Sequence, residues 1–198
     1  MKTRKVYLSR YRRKREKKTD YRRRLKLLKS GSPRLVVRPS THIISVQVIA
    51  YDQNGDRTLA EASSKELSKF GWKGDEDNVA ASFLTGLLLA RKVGEKGLKF
   101  EKLIPDLGMH APHKGGKVFA LLMGAAEGGL PVSMSEDVEL DESALRMEPL
   151  AEYARELKEK DPQGYSRRFS RYLARGLEPY DLPAHFDEVR KQLGGAVV

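Results

Sequence analysis

The first 38 residues of this chain contain seventeen Lys or Arg side chains and only two acidic ones, Glu16 and Asp20. This block has a formal charge of +15, whereas the whole chain has +11, so the remaining residues sum to −4. A segment with so much like charge cannot bury itself in a hydrophobic core. The core must therefore come mostly from Leu35 onward, and the basic block is expected to bind a polyanion.

Composition narrows the class of protein further. Most of the long apolar runs lie between Leu35 and Val132, and 198 residues suit one domain of ordinary size with extensions. The absence of Cys excludes disulfides and thiolate zinc sites. No signal peptide is recognisable and no run approaches a membrane span. We expect a protein of the reducing cytoplasm with no membrane partner.

Hydrophobic patterning divides the chain into three zones. Residues 1–32 form a basic arm with a short helix, residues 33–135 form the core, and residues 136–198 form a charged, proline-punctuated extension. The extension contains three helical patterns, each too short and too polar to fold alone. We therefore expect the extension to drape over a neighbour.

The arm up to Lys18 has too few apolar residues to order itself, so it is expected to be mobile until a partner neutralises it. After it, Thr19 or Asp20 is predicted to cap a short basic helix that ends at Gly31. Tyrosines interleave with the basic residues, and their rings are suited to stacking on unpaired bases. The polyanion is therefore predicted to be a nucleic acid.

The core zone begins with strand patterns. Two β-branched runs, Arg34–Arg38 and His42–Tyr51, precede a turn centred on Asn54-Gly55, and a third run starts at Arg57. These runs predict an antiparallel meander. A short strand after Gly97 is expected to return to the same sheet.

Helices are predicted to cover that sheet. A first helix can be capped by Ser63 or Ser64, and the clearest helical pattern begins after Asn78 or after the acidic run 75–77. A further covering helix is expected over Lys117–Gly128. The buried stripe of the clearest helix is predicted at Val79, Phe83, Leu87 and Ala90. Alternating strands and helices imply an α/β layer fold with a mixed sheet.

Little in the sequence supports catalysis. His110 and His113 lie close to Asp106, but Ala111-Pro112 breaks the helical geometry of a metal-binding pair, so contact with solvent or phosphate is favoured. The acids at 75–77 are adjacent on a loop, and stabilisation of a helix N-terminus explains them. No Ser stands in a nucleophile motif. We expect no enzyme activity, cofactor, metal or small-molecule substrate.

The loop before the second covering helix is a candidate phosphate contact. Segment Ala111–Val118 departs from the nucleotide-triphosphate motif at two positions, Ala111 and Val118. It retains glycine flexibility and Lys side chains at a helix N-terminus, where backbone N–H groups favour an anion. An RNA phosphate would suit it, and the alternative is an ordinary turn.

A series of collinear strings carries a family resemblance. The chain contains, in this order, TDYRRRLKLLKSGSPRLVVRPSTHIISVQVI, GDRTLAEASSKELSKFGWKG, SFLTGLLLARK, PDLGMH and GGKVFALLMGAAEGGLPV. From about Arg12 to Ser135 it closely resembles the large-subunit ribosomal protein family L-eighteen, in its archaeal version. The resemblance implies a three-layer α/β/α core with a mixed sheet in a ribonuclease-H-like arrangement.

The resemblance also implies a function. It implies a structural protein that binds 5S ribosomal RNA, attaches it to 23S ribosomal RNA in the central protuberance and contacts neighbouring large-subunit proteins. Together with the charge of the arm, it implies the following RNA-binding residues: Arg4, Lys5, Tyr7, Arg10, Tyr11, Arg12, Arg13, Lys14, Arg15, Lys17, Lys18, Tyr21, Arg22, Arg23, Arg24, Arg34, Arg38, Ser40, Thr41, His42, His110, His113, Lys114 and Lys117. Two alternatives stay open: a metal-dependent nuclease on the same strand topology, and a protein-interaction module dominated by the C-terminal helices.

Overall fold

The computed structural model describes residues 9–111, 113–135 and 141–194. Its four strands are β1 (Arg34–Pro39), β2 (Ile44–Ala50), β3 (Arg57–Ser63) and β4 (Ile104–Asp106). Its α-helices are α1 (Arg12–Arg15), α2 (Tyr21–Leu28), α3 (Val79–Glu95), α4 (Lys117–Glu127), α5 (Glu142–Leu145), α6 (Glu148–Lys160), α7 (Pro162–Arg168), α8 (Ser170–Ala174) and α9 (Leu182–Leu193). Two 3₁₀ helices span Ser64–Phe70 and Pro179–Asp181.

The four strands form one mixed sheet in the order β3-β2-β1-β4. Antiparallel pairing joins β1 to β2 and β2 to β3, whereas β4 lies parallel to β1. A bridge between Leu103 and Val132 continues the parallel pairing beyond β4. The predicted meander, the returning strand and the α/β fold class are thereby confirmed. The ribonuclease-H-like label stays a prediction.

Helices α3 and α4 cover the face of the sheet that carries Leu35, Val46 and Val48, all of which are fully buried. The two helices approach so closely that a Cβ added at Gly86 of α3 would lie 2.2 Å from the carbonyl oxygen of Leu121. Only glycine permits this approach. The helical layer is therefore held at short range by residues that have no side chain.

Helix α3 is buried on more sides than a single stripe allows. Twelve of its seventeen residues are buried, including Ser82 and Thr85, whereas Val79, a predicted member of the stripe, is only partly buried. The reason is that α3 contacts the sheet, α4 and α9 at once. Such a helix loses the two-sided polarity of a surface helix, so the predicted stripe was too narrow.

Side chains cap these helices at the predicted boundaries. The Asp20 carboxylate accepts hydrogen bonds from the backbone N–H groups of Arg22 and Arg23, and the Asn78 side chain accepts one from Ala81 at 2.7 Å. Asp20 is therefore the N-cap of α2, where Thr19 was the alternative, and Asn78 is the N-cap of α3, where the acidic run was the alternative. Each satisfies a backbone donor that the first turn would leave unpaired.

Two acids of the run 75–77, which was predicted to stabilise the start of α3, also form ion pairs. Asp75 lies 3.6 Å from both Arg171 and Arg175, and Asp77 lies 3.4 Å from the Lys117 Nζ. The Asn78 side chain already caps the N-terminus of α3. Asp75 and Asp77 therefore face basic side chains that come from distant parts of the chain.

The C-terminal extension is helical, as expected, and it packs against this chain's own core. Tyr165, Phe169 and Tyr172 are buried in the same hydrophobic cluster as the sheet and α3. Arg190 of α9 donates to both carboxylate oxygens of Glu127 at 2.9 and 2.7 Å. The boundaries proposed at residues 32 and 135 stay predictions, and the hydrophobic cluster is continuous across the second of them.

The second face of the sheet carries a thinner covering. Helix α2 crosses it, and Leu27 of that helix lines a cleft together with Val36 and Ile49 of the sheet. The helical layers thus lie on both faces but differ in thickness, with α3 and α4 on one side and α2 on the other. This thin layer leaves an open space between α2 and the strands.

Candidate nucleic-acid interface

The basic arm is described from Ser9 onward, and the candidate residues Arg4, Lys5 and Tyr7 lie outside the described residues. Helix α1 consists entirely of basic residues, and none of its side chains is buried. After a turn, Asp20 caps α2, which adds Arg22, Arg23, Arg24 and Lys26. The local sequence thus builds two short basic helices joined at a capped corner.

A cleft of about 400 Å³ separates this arm from the second face of the sheet. Its lining brings together the arm, strand β1 and the loop after β4, which are far apart in the sequence. The basic and histidine side chains that line it are Arg13, Lys17, Lys18, Arg23, Arg24, Arg34, Arg38 and His110. Three groups of residues that the sequence predicted separately therefore share one concave surface.

A chain of ion pairs fastens α2 to the floor of this cleft. Asp56 accepts hydrogen bonds from Arg24 at 2.8 Å and from Arg34 at 2.7 Å. Arg34 also donates to Asp106 at 3.0 Å, and the second oxygen of Asp106 lies 3.4 Å from Arg38. Two carboxylates thus hold three guanidinium groups in fixed positions.

Asp106 is the most tightly held acid of this network. Burial alone raises its pKa, but the hydrogen bond from the Gly108 N–H and the positive charges of Arg38 and Arg34 outweigh that effect, so the pKa lies below its ordinary value. Gly108 has a positive φ of 60°, and an added Cβ would lie 3.2 Å from the Arg38 guanidinium carbon. The loop after β4 is thereby shaped around the Arg38 side chain.

Arg34 and Arg38 occupy different positions relative to solvent. The Arg34 side chain is 3% exposed and its terminal nitrogens bind Asp56 and Asp106, whereas the Arg38 side chain is 44% exposed. Arg38 can meet a phosphate without leaving its place. The arrangement assigns Arg34 to the support of the surface, and direct RNA contact by Arg34 is not favoured by this geometry.

Two arm tyrosines lie together at the edge of the basic surface. The rings of Tyr11 and Tyr21 are 5.3 Å apart at an angle of 42°, and Tyr11 is 74% exposed. An exposed ring supported from behind by a second ring is suited to stacking on an unpaired base.

A second group of candidates lies at the end of the sheet where β1 leads into β2. In this turn the Ser40 hydroxyl donates to the Ile43 carbonyl at 2.9 Å, and the Ser40 N–H donates to the same oxygen. These bonds close the turn and leave Thr41 and His42 exposed. Ser40 therefore shapes the turn, while its two neighbours face outward.

The loop before α4 lies beside that turn. A cleft of about 300 Å³ is lined by Pro39 and by loop residues that include His110, His113 and Lys117. His113 and Lys114 are exposed, whereas the Lys117 Nζ is 3.4 Å from Asp77. The structure thus brings the predicted turn and the predicted loop to one end of the sheet.

Comparison with known proteins identifies the family. A family model described as ribosomal large subunit proteins 60S L5 and 50S L18 matches residues 5–103, which is half of the chain. The large ribosomal subunit protein uL18 of Methanothermobacter thermautotrophicus is 46% identical over 183 residues, covering 92% of this chain and 93% of that relative. The chain belongs to the uL18 family of large-subunit ribosomal proteins.

Membership of the uL18 family confirms the resemblance drawn from the collinear strings and the expectation of a structural ribosomal protein. The uL18 family is not one of enzymes, so the nuclease alternative is overturned. The local geometry agrees with this, because Asp56 and Asp106, two acids that share one partner, are both bound by Arg34. Both carboxylates are thus paired with a buried guanidinium group.

Two absences concern the described part of the chain. Across residues 9–111, 113–135 and 141–194, no three His, Asp or Glu side chains gather in a group that could hold a metal ion. Within those same ranges, no helix has both the length and the apolar composition needed to cross a bilayer.

Sequence reasoning missed two sets of residues in this member of the uL18 family. The first is the acids Asp56 and Asp106, which position the basic side chains, and a charged Arg34 inside an apolar strand was the signal for them. The second is Arg171 and Arg175, which share a cleft of about 390 Å³ with Thr41 and other residues of that end of the sheet. Their spacing along the extension was the available signal.

Proposed function

We propose that this uL18-family protein binds 5S ribosomal RNA and attaches it to 23S ribosomal RNA in the central protuberance of the large subunit. The observation that carries this proposal is the cleft in which Lys and Arg side chains of the arm lie on one concave face with Arg38 and His110. The family resemblance supplies the identity of the RNA. Neighbouring large-subunit proteins are the further partners.

The arm supplies affinity in this proposal. Each Lys or Arg that neutralises a phosphate releases counterions, so binding falls steeply as salt increases. The arm, described from Ser9, presents exposed Lys and Arg side chains on α1, on the turn before α2 and on α2 itself. The exposed ring of Tyr11 can stack on an unpaired RNA base.

The folded end of the sheet supplies selectivity. Thr41, His42, His113 and Lys114 are exposed on short loops whose shape is set by hydrogen bonds and glycines. Phosphate contacts give register but little sequence information, whereas contacts from an ordered surface can read RNA shape and unpaired bases. The two surfaces therefore have different roles in recognising one RNA.

A gel-shift titration against labelled 5S RNA, with transfer RNA as competitor, tests this proposal at several salt concentrations. The variant Lys17→Gln/Lys18→Gln removes two lysines that line the cleft, and Lys99→Gln/Lys102→Gln removes two exposed lysines in the loop between α3 and β4. We expect the first pair to lower the salt slope by about 1.4 to 1.8 and the control pair to leave it near wild type.

Two results would contradict the proposal. One is a wild-type protein that binds 5S RNA no better than transfer RNA. The other is an arm variant whose affinity and salt slope equal those of the control pair, because the cleft would then contribute nothing to binding.

A further inference from the structure

We propose that helices α7 and α8 of the C-terminal extension form a second surface for the RNA backbone, centred on Arg167 and Arg171 and adjoining the Ser40–His42 turn. This inference rests on the proposed binding of 5S RNA. It assigns the outer face of these two helices to RNA, whereas the sequence predicted only that the extension would lie over a neighbour.

The two helices have opposite faces of different chemistry. Tyr165, Phe169 and Tyr172 are spaced four and three residues apart and are 4, 5 and 8% exposed, so they form the inward face. The outward residues are Arg167, Arg168, Arg171 and Arg175, all of which are exposed. No acidic residue occurs between Pro162 and Leu177, so the charged side chains that these two helices contribute are all positive.

Contacts with the core hold this surface in place. Arg175 donates to the backbone carbonyl of Gly74 at 2.6 Å, and the Lys73 Nζ donates to the Gly176 carbonyl at 3.4 Å. Nearby, the rings of Trp72 and His185 stack at 5.3 Å with an angle of 15°. A surface that is already ordered loses less conformational entropy when it binds a partner.

The surface is continuous with the predicted RNA-binding turn. Thr41, His42, Arg171 and Arg175 line the same cleft of about 390 Å³, together with the acids Glu76 and Asp77. On its other side, that turn borders the cleft of His110 and the loop before α4 through Pro39. An RNA strand that contacts the turn would therefore pass within reach of the guanidinium groups on α8.

The outward arginines are available for phosphate. Arg171 is 72% exposed and its contact with Asp75 is 3.6 Å long, and such exposed pairs contribute little stability. The Arg167 side chain is exposed, and within the described residues it makes no hydrogen bond or ion pair. The two side chains can therefore bind a phosphate without the loss of a strong internal contact.

The chemistry of this face favours RNA over a protein partner. The centres of protein interfaces are enriched in aromatic residues and depleted in charge. Here the aromatic residues point inward and the exposed residues are arginines. Guanidinium groups bind phosphate in a forked, two-bond geometry, which suits an RNA backbone.

The test compares the full-length variant Arg167→Gln/Arg171→Gln with the matched pair Lys99→Gln/Lys102→Gln. Arg175 is left unchanged because it fastens α8 to the Gly74 carbonyl. In the 5S RNA titration we expect affinity to fall by on the order of tenfold at about 0.1 M salt and the salt slope to fall by about 1.4 to 1.8. Thermal melting of both variants verifies that they are folded.

The outcomes separate this inference from the proposed function. If the Lys17/Lys18 pair weakens binding and the Arg167/Arg171 pair matches the control, the inference is overturned and the proposed function stands. Unchanged RNA affinity together with a lost association with neighbouring ribosomal proteins would assign the surface to protein and also overturn it. A wild-type protein without preference for 5S RNA would defeat the proposed function itself.

Discussion

The substitution Asp106→Asn probes the ion-pair network that fastens α2 to the sheet. Asparagine keeps the shape of the side chain and one acceptor for the Gly108 N–H, but it removes the negative charge. Arg34, which is 3% exposed, would keep only Asp56 as a charged partner, and Arg38 would lose its contact with the carboxylate. We therefore expect a less stable protein.

The magnitude follows from the burial of the pair. Removal of one partner from a buried ion pair costs about 3–5 kcal/mol when the remaining charge has no other partner. Arg34 retains Asp56 at 2.7 Å, so we expect roughly half of that cost, about 2 kcal/mol. In a protein of this size, that loss corresponds to a fall in melting temperature of about 4–8 °C.

The effect should depend on pH in a definite direction. Asp106 has a folded-state pKa below the ordinary value of 3.8, so the unfolded chain binds its proton at a higher pH than the folded protein does. The stabilisation is therefore complete above about pH 4 and is lost as the pH falls through the lower folded pKa. The difference between wild type and variant should shrink over that acidic range.

Urea unfolding followed by circular dichroism at neutral and acidic pH measures the loss in free energy of unfolding and its dependence on pH. The control is Glu101→Gln, which removes one negative charge from an exposed residue in the loop before β4. A loss below about 0.5 kcal/mol at neutral pH, no larger than surface substitutions give, would refute the buried-pair reasoning. A difference that stays constant in acid would refute the assignment of the effect to the charge of Asp106.

Two further substitutions, one of them with a matched control, test the packing of the helices. Gly86→Ala should lower the free energy of unfolding by about 1–3 kcal/mol because its Cβ would meet the Leu121 carbonyl, whereas Gly94→Ala on the same helix meets nothing within 4 Å and should stabilise by up to about 1 kcal/mol. Arg190→Met should cost about 2 kcal/mol by leaving Glu127 without its two hydrogen bonds. Chemical denaturation measures the free energy of unfolding of these variants. A Gly86 variant as stable as the Gly94 variant would contradict the close approach of α3 to α4.

Much of the fold was predictable because its signals are local. The β-branched runs, the Asn54-Gly55 turn and the capping residues Asp20 and Asn78 each act within a few residues of their own position. The width of the buried surface of α3 was not predictable in that way. It depends on α9, which is about a hundred residues away in the chain.

The candidate interface shows the same division. Composition and resemblance identified the exposed Lys and Arg side chains of the arm, and also His113 and Lys114, as interface candidates. This succeeded because long charged side chains remain at the surface. The burial of Arg34 was missed, because strand alternation indicates that a residue changes face but not what lies opposite it. Its partners, Asp56 and Asp106, come from other elements.

The sequence by itself determined the basic arm, the α/β order of elements and membership of a ribosomal protein family, because charge density, periodicity and collinear strings are properties of the chain. Only the tertiary structure decided which charges remain free for RNA. Asp75 and Asp77 stand just before α3 in the sequence, and in the folded protein Asp77 pairs with Lys117 and Asp75 with two arginines of the extension. Ion pairing depends on distance in space, and folding alone brings such residues within 4 Å.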